Sequence, residues 1–226
     1  MKTATTRHAP ARPPEPDLSL NETAYLRLKE ALVTLAYKPG EYFNAAQVME
    51  RFGVGRTPVN QALHRLSAEG LVQIIPRKGA MASPLSINDA LDLIDVRLVN
   101  EMLCLRLAAG AITDADLAEL QVIADQFEDA ARQRDAVSVM NLDRRFHEKI
   151  ALVARNPILQ DILNVLHARS QRFWAISLAS ERHLQEVIDE HRAIVAALRG
   201  RDADAAADAA RTHVLSFKAS MLGNQR

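Results

Sequence analysis

Residues 44–82, NAAQVMERFGVGRTPVNQALHRLSAEGLVQIIPRKGAMA, decide the fold of the N-terminal third of the chain. At their centre, Gly53-Val54-Gly55-Arg56-Thr57-Pro58 is a tight turn that opens into a helix. Thr57 reads as its N-cap, because a hydroxyl can accept from an orphan N–H of the first turn. Pro58 suits the first helical position, where a missing N–H costs nothing. Val59, Leu63 and Leu66 fall on one face at helical spacing and pack inward. Asn60, Gln61, His64 and Arg65 lie on the other side, and Gly70 ends the helix as a left-handed cap. Then Leu71 to Ile75 is a short β-branched run, Pro76-Arg77-Lys78-Gly79 a basic turn, and Ala80 to Ala82 a return strand. A hairpin behind a helix with a polar outer face is a wing, so the segment reads as a winged helix-turn-helix.

Upstream, Ser19-Leu20-Asn21-Glu22 is a capping box, predicting a helix that runs to about Lys38 until Pro39-Gly40 breaks it. Asn44 caps a second helix ending near Phe52. Residues 1–18 are Pro-rich and polar and read as a disordered arm, which leaves 19–83 as the winged domain. Among 226 residues the net charge is zero, yet residues 1–83 carry 11 Lys and Arg against 7 Asp and Glu, and residues 84–226 carry 17 against 21. A basic head on a mildly acidic remainder fits DNA binding by the head alone. No apolar run approaches the ~20 residues needed to span a bilayer, and no signal peptide is evident. The single cysteine, Cys104, cannot form an internal disulfide, which points to a reducing cytoplasm.

Residues 84–226 show no convincing strand. Cap and breaker signals at Ser86, Thr113, Asn156-Pro157, Gly200 and Asp202 divide them into six helices with short loops, an antiparallel all-α bundle. Three of these helices carry ionisable residues on their apolar stripes: Asp143 and His147 between Met140 and Ile150, His191 between Val187 and Ile194, His213 between Ala210 and Phe217. Asp143 and His147 are an i, i+4 pair and project toward one point. A lone histidine on an apolar face is more often a hydrogen-bonded core residue. Four such groups without partners would cost several kcal/mol, and one divalent cation would satisfy all of them. Three imidazoles and a carboxylate suit Zn²⁺ first, and also Ni²⁺, Fe²⁺ or Mn²⁺.

The segment Tyr25 to Ser83 resembles the winged helix of the GntR family of bacterial transcription regulators. The resemblance rests on Pro39-Gly40-Glu41, Glu50-Arg51-Phe52-Gly53-Val54, Arg56-Thr57-Pro58-Val59, Ala62-Leu63, Leu66, Glu69-Gly70-Leu71 and Pro76-Arg77-Lys78-Gly79. Asn60 stands where the family usually has arginine, and Gly55 where it usually has serine; an asparagine can bond adenine or a phosphate. Residues from about Asn88 to Leu222 resemble the FCD ligand-sensing domain of the FadR subgroup, through Val96-Arg97 with Glu101, Asp143-Arg144-Arg145-Phe146-His147, Asn156-Pro157, Glu190-His191-Arg192-Ala193-Ile194 and His213. Six helices are similar to the VanR-like branch. The resemblance implies that Asp143, His147, His191 and His213 hold a divalent metal. It also implies that Arg97, with Glu101, serves an effector carboxylate; the plainer reading of that pair is an exposed i, i+4 ion pair.

The expectation is a cytoplasmic, homodimeric transcription regulator of repressor type. It would bind a pseudo-palindromic double-stranded operator and respond to a small organic acid seated beside the metal. The residues expected at DNA are Arg51, Arg56, Thr57, Pro58, Asn60, Gln61, His64 and Arg65, with Arg77, Lys78 and Gly79 on the wing. The alternative is a metal-dependent hydrolase using the same cluster, though no general base stands on its stripe.

Overall fold

A computed structural model describes residues 18–177 and 181–223; all but the last residue of the expected N-terminal arm lies outside them. The architecture is mostly α, with a three-stranded antiparallel sheet in the N-terminal region.

Helix α1 spans Leu20–Val33 and is capped by Ser19, whose side chain accepts from the Glu22 N–H. It stops well short of Lys38. Leu35 takes a left-handed φ of 59°, and the Tyr37 N–H donates back to the Ala31 carbonyl. This reversal drives Tyr37 into the core, with its ring 4.4 Å from that of Phe43. Tertiary packing of one aromatic side chain thus ends a helix that local propensity would continue.

Strand β1, Tyr42–Phe43, was invisible in sequence. It pairs with the wing's return strand β3, Gly79–Ala82, which in turn pairs with β2, Val72–Ile75, giving the order β1-β3-β2. Helix α2, Ala45–Phe52, carries a full capping box between Asn44 and Gln47. Helix α3 spans Arg56–Ala68 and begins earlier than its sequence suggests. Gly55 is the N-cap, no side chain caps it, and Thr57 and Pro58 lie inside the first turn. Proline is tolerated there because the first N–H groups of a helix have no intrahelical partner anyway. Gly70 follows the helix with φ of 76°. Leu28, Leu32, Val48, Val59, Leu66 and Leu71 close the core between the three helices and the sheet, each fully buried leucine contributing about 1.5–3 kcal/mol.

The C-terminal region is built from α4 (Ile87–Ala111), α5 (Asp114–Arg132), α6 (Ala136–Val153), α7 (Pro157–Ser177), α8 (Glu181–Arg199) and α9 (Ala203–Gly223). Side chains of Ser86, Thr113, Asp135 and Asp202 accept from first-turn N–H groups of α4, α5, α6 and α9. Helix α4 packs along α9, α5 against α6 and α8, and α8 against α9. Helix α7 crosses the inside of the bundle against α4 and α6 and also reaches α1.

Candidate metal and effector chamber

The stripes of α6, α8 and α9 bring their imidazoles to one place. The rings of His147, His191 and His213 lie 5.1–5.8 Å apart, centre to centre, and one nitrogen from each falls within 4.8 Å of the others. Asp143 Oδ1 stands 3.6 Å from His147 Nε2 and 3.5 Å from His191 Nε2. All three histidines are buried. Both ring nitrogens of His191 lack a hydrogen-bond partner, although its ring stacks on Phe146 at 4.2 Å. A fully buried imidazole with two orphaned nitrogens beside a carboxylate is a strong sign that a cation belongs there.

Protonation states fit that chemistry at two of the three rings. Burial pushes His191 down to about 4, against the pull of Asp143. Burial, aided by His147 and Arg97, pushes His213 down to about 3. Both rings are therefore neutral at physiological pH, the state that ligates metal. For His147, burial acts downward, but Glu101 and Asp143 outweigh it and raise the ring to about 9. Burial also opposes ionisation of Asp143, yet His147 and His191 beside it hold it well below the usual carboxylate range.

Outer carboxylates orient the rings. His213 Nδ1 lies 2.8 Å from Glu190 Oε2; with the proton on Nδ1, the Nε2 lone pair is free. Burial raises Glu190 to about 7, with Ser216 and His183 acting against it. His147 Nδ1 lies 3.7 Å from Glu101 Oε2. Glu190 was quoted in the sequence only as a neighbour of His191, so its service to His213 one helix away was missed.

Arg97 and Glu101 are buried, so the exposed ion pair of the plainer reading is excluded. Glu101 Oε1 accepts from Arg97 Nη2 at 2.8 Å and lies 2.7 Å from His167 Nε2. Burial acts to raise Glu101, but His167, His147 and Arg97 together hold it well below the carboxylate range. Glu101 thus sits behind the chamber as a brace, while Arg97 lines it. The lining continues with His167, Ser170, Gln171 and Trp174 of α7, none of which the sequence had marked for this place. The chamber has a volume of about 30 Å³, room for one or two waters.

In the winged domain, Arg56, Thr57, Asn60, Gln61 and His64 are exposed on α3, with Pro58 half-buried. Among the described residues, the side chains of Arg56, Asn60, Gln61 and His64 have no ion pair or hydrogen bond within the chain. Arg65 is different: it lies over the Tyr25 ring at 3.4 Å and pairs with Glu22 at 2.9 Å. Arg51 covers Tyr37 at 5.0 Å. On the wing, Arg77 and Lys78 are exposed. Gly79 has φ of 105°, and a Cβ there would meet the Phe43 carbonyl at 2.6 Å. Its place is set by β1, not by an outward-facing surface.

Comparison with known proteins is consistent across both regions. Residues 20–81 match the model of bacterial regulatory proteins, gntR family, and residues 92–216 match the FCD domain. The chain is 26% identical over 206 residues to the HTH-type transcriptional repressor RspR of Escherichia coli, covering 91% of this chain and 90% of that one. It is 26% identical over 225 residues to the galactonate operon transcriptional repressor of Escherichia coli, with 88% and 96% covered. The fold matches E. coli McbR/YncC with a TM-score of 0.85 at 23% identity, over 92% of this chain and 100% of that one.

Proposed function

The chain belongs to the GntR family of DNA-binding transcription regulators, in the form that carries an FCD domain, and on that premise we propose that a small organic acid, seated beside a divalent metal in the chamber, sets its affinity for DNA. Its domains and relatives are those of regulators, not enzymes, and the hydrolase alternative falls with that. The observation that carries the proposal is the convergence of His147, His191 and His213, with Asp143 beside two of them, at a small pocket that Arg97 also lines.

His147, His191, His213 and Asp143 would hold the cation, with Zn²⁺ the first choice for three imidazoles and a carboxylate. Bound there, it supplies a Lewis acid for a carboxylate oxygen. The Arg97 guanidinium and a dication side by side favour an anionic effector in a site of low dielectric. Arg97 offers that acid a planar fork, and Ser170 Oγ is a buried hydroxyl still without a partner. An effector larger than the present space must open the chamber, and that is how binding can favour one conformation over another.

On DNA, Arg56, Thr57, Asn60, Gln61 and His64 would enter the major groove, with Arg77 and Lys78 at the backbone. A homodimer on a pseudo-palindromic operator follows from this docking mode. It is supported by an exposed apolar stripe on α4, made of Val96, Val99, Leu103 and Leu107. Repression is the sign we assign, as the names of two relatives state for those proteins. No helix among the described residues is long and apolar enough to cross a membrane; a cytoplasmic regulator is the reading we adopt. The deciding experiment is metal analysis of the purified protein, followed by thermal-shift screening of small organic acids with and without a chelator. Acids that raise the melting temperature only with metal support the proposal. A chelator effect without any acid effect would leave a purely structural cation.

A further inference from the structure

Helix α7 has two working sides. His167, Ser170, Gln171 and Trp174 line the chamber, while Arg169, Arg172 and Phe173 line a separate cleft against the DNA-binding region. Arg172 is only 2% exposed and ranks among the largest fully buried side chains. Its Nη2 donates to the Ser83 carbonyl, in the link between β3 and α4, at 2.5 Å. Its Nε is buried and has no partner. Among the described residues, no carboxylate forms an ion pair with Arg172 or Arg169.

The nearest influential charge is of the same sign. Burial pushes Arg172 down to about 10, and the positive charge of Arg169 pushes the same way. The Arg169 guanidinium lies flat against the backbone after α3, with its Cζ 3.6 Å from where a Cβ on Gly70 would sit. Two guanidinium groups with no acid between them, one fully buried, form an uncompensated positive site. Burying such a charge is costly unless an anion accompanies it. The cleft offers about 440 Å³ for that anion, and Ser67 and Gln73 add polar groups to its wall.

We propose that this cleft is a second ligand site, in which Arg169 and Arg172 clasp a phosphate group, free or carried by a small metabolite. Two planar forks match the oxygens of a phosphate, and a dianion balances both charges. Occupancy would join Gly70 and Ser83, which lie side by side at the open end of the hairpin, to α7. The site is independent of the metal chamber. Asp89 lines the same cleft, is exposed, and makes no ion pair, so it is the internal rival for the role of counter-ion.

The test is isothermal titration of the full-length protein at constant ionic strength, in the presence of chelator, with inorganic phosphate and separately with glycerol 3-phosphate. We expect saturable binding of at least one of them, with Kd of about 1 mM or tighter. Arg169→Gln should weaken it at least tenfold and Arg172→Gln should abolish it, while Arg97→Ala leaves it unchanged. Preference for the ester assigns a metabolite as occupant, and equal binding assigns free phosphate. Arg169 is partly exposed, so its variant decides the matter if Arg172→Gln does not fold. The proposal is overturned if neither ligand binds, if binding is unaltered in Arg169→Gln, or if it is lost in Arg97→Ala. Absence of binding together with an Asp89→Asn variant as destabilised as Arg172→Gln would make Asp89 the counter-ion instead.

Discussion

The outer face of α3 and the chamber inside the bundle are both dense in polar side chains, and they treat them in opposite ways. On α3, Arg56, Asn60, Gln61 and His64 are exposed and make no bonds within the chain. In the chamber, Arg97, Glu101 and His147 are buried and, with the partly exposed Asp143, held close to one another. An exposed, unengaged polar group loses little when it meets a groove, and gains a hydrogen bond. A buried polar group must be satisfied in the fold or by a ligand. Specific contact from outside and selective uptake from within thus demand different preparation of the same residue types.

Variants that remove one side of this contrast should differ widely in their effects. The largest is expected at His191, whose buried ring nitrogens have no hydrogen-bond partner among the described residues. His191→Ala should lower metal affinity by on the order of 10³-fold in competition with a chromophoric chelator, beyond the range typical of outer-sphere groups. Glu190→Ala removes only the carboxylate behind His213 and should cost about 10–100-fold in the same assay. Arg56→Ala should weaken operator binding by more than about tenfold in a gel-shift titration, with the melting temperature unchanged. Metal affinity should also rise about tenfold per pH unit up to about pH 9. His147 is protonated below its raised value of about 9, so the cation must displace one proton, and competition fades as pH climbs. A flat pH profile would show that His147 is not a ligand. The smallest effect belongs to Arg65. It is already held by Glu22 and the Tyr25 ring, so Arg65→Ala should change operator affinity by less than about threefold and stability by under about 1 kcal/mol. A tenfold loss would mean that Arg65 leaves Tyr25 to meet DNA.

What the sequence shows and hides follows from the range of the forces involved. The wing, the N-caps at Ser19, Asn44, Ser86, Thr113 and Asp202, and the inward faces of Asp143, His147, His191 and His213 were readable, because turns, caps and amphipathic stripes are local patterns; the reciprocal half of the box expected at Ser19 is missing, since Glu22 pairs with Arg65 instead. The stripes placed His147, His191 and His213 on inward faces, and short loops made those faces converge. The early end of α1, the start of α3 at Arg56, strand β1 and the brace of Glu190 on His213 were not readable. Each depends on a partner distant in the chain: Phe43 for Tyr37, the wing for β1, α9 for Glu190. Gly79 illustrates the difference. In sequence it is a turn residue in a basic tip; in the fold its missing side chain lets β3 pass against the Phe43 carbonyl. Glu101 moved in the same direction, from expected effector contact to support for Arg97 and His167.

The pairing of β1 with the wing reaches beyond local architecture. Gly40 donates to the Ala82 carbonyl, and the Ala82 N–H donates to Glu41, so the return strand is anchored along both edges. A hairpin fixed in this way keeps one angle to α3 before any duplex arrives, and little ordering entropy is lost on docking. Each head is then a stiff stamp of invariant shape. In the proposed homodimer, whether two of them fit successive turns of a helix would be decided by how far apart the bundles hold them, which would put the lever for control in spacing and not in reshaping the stamp.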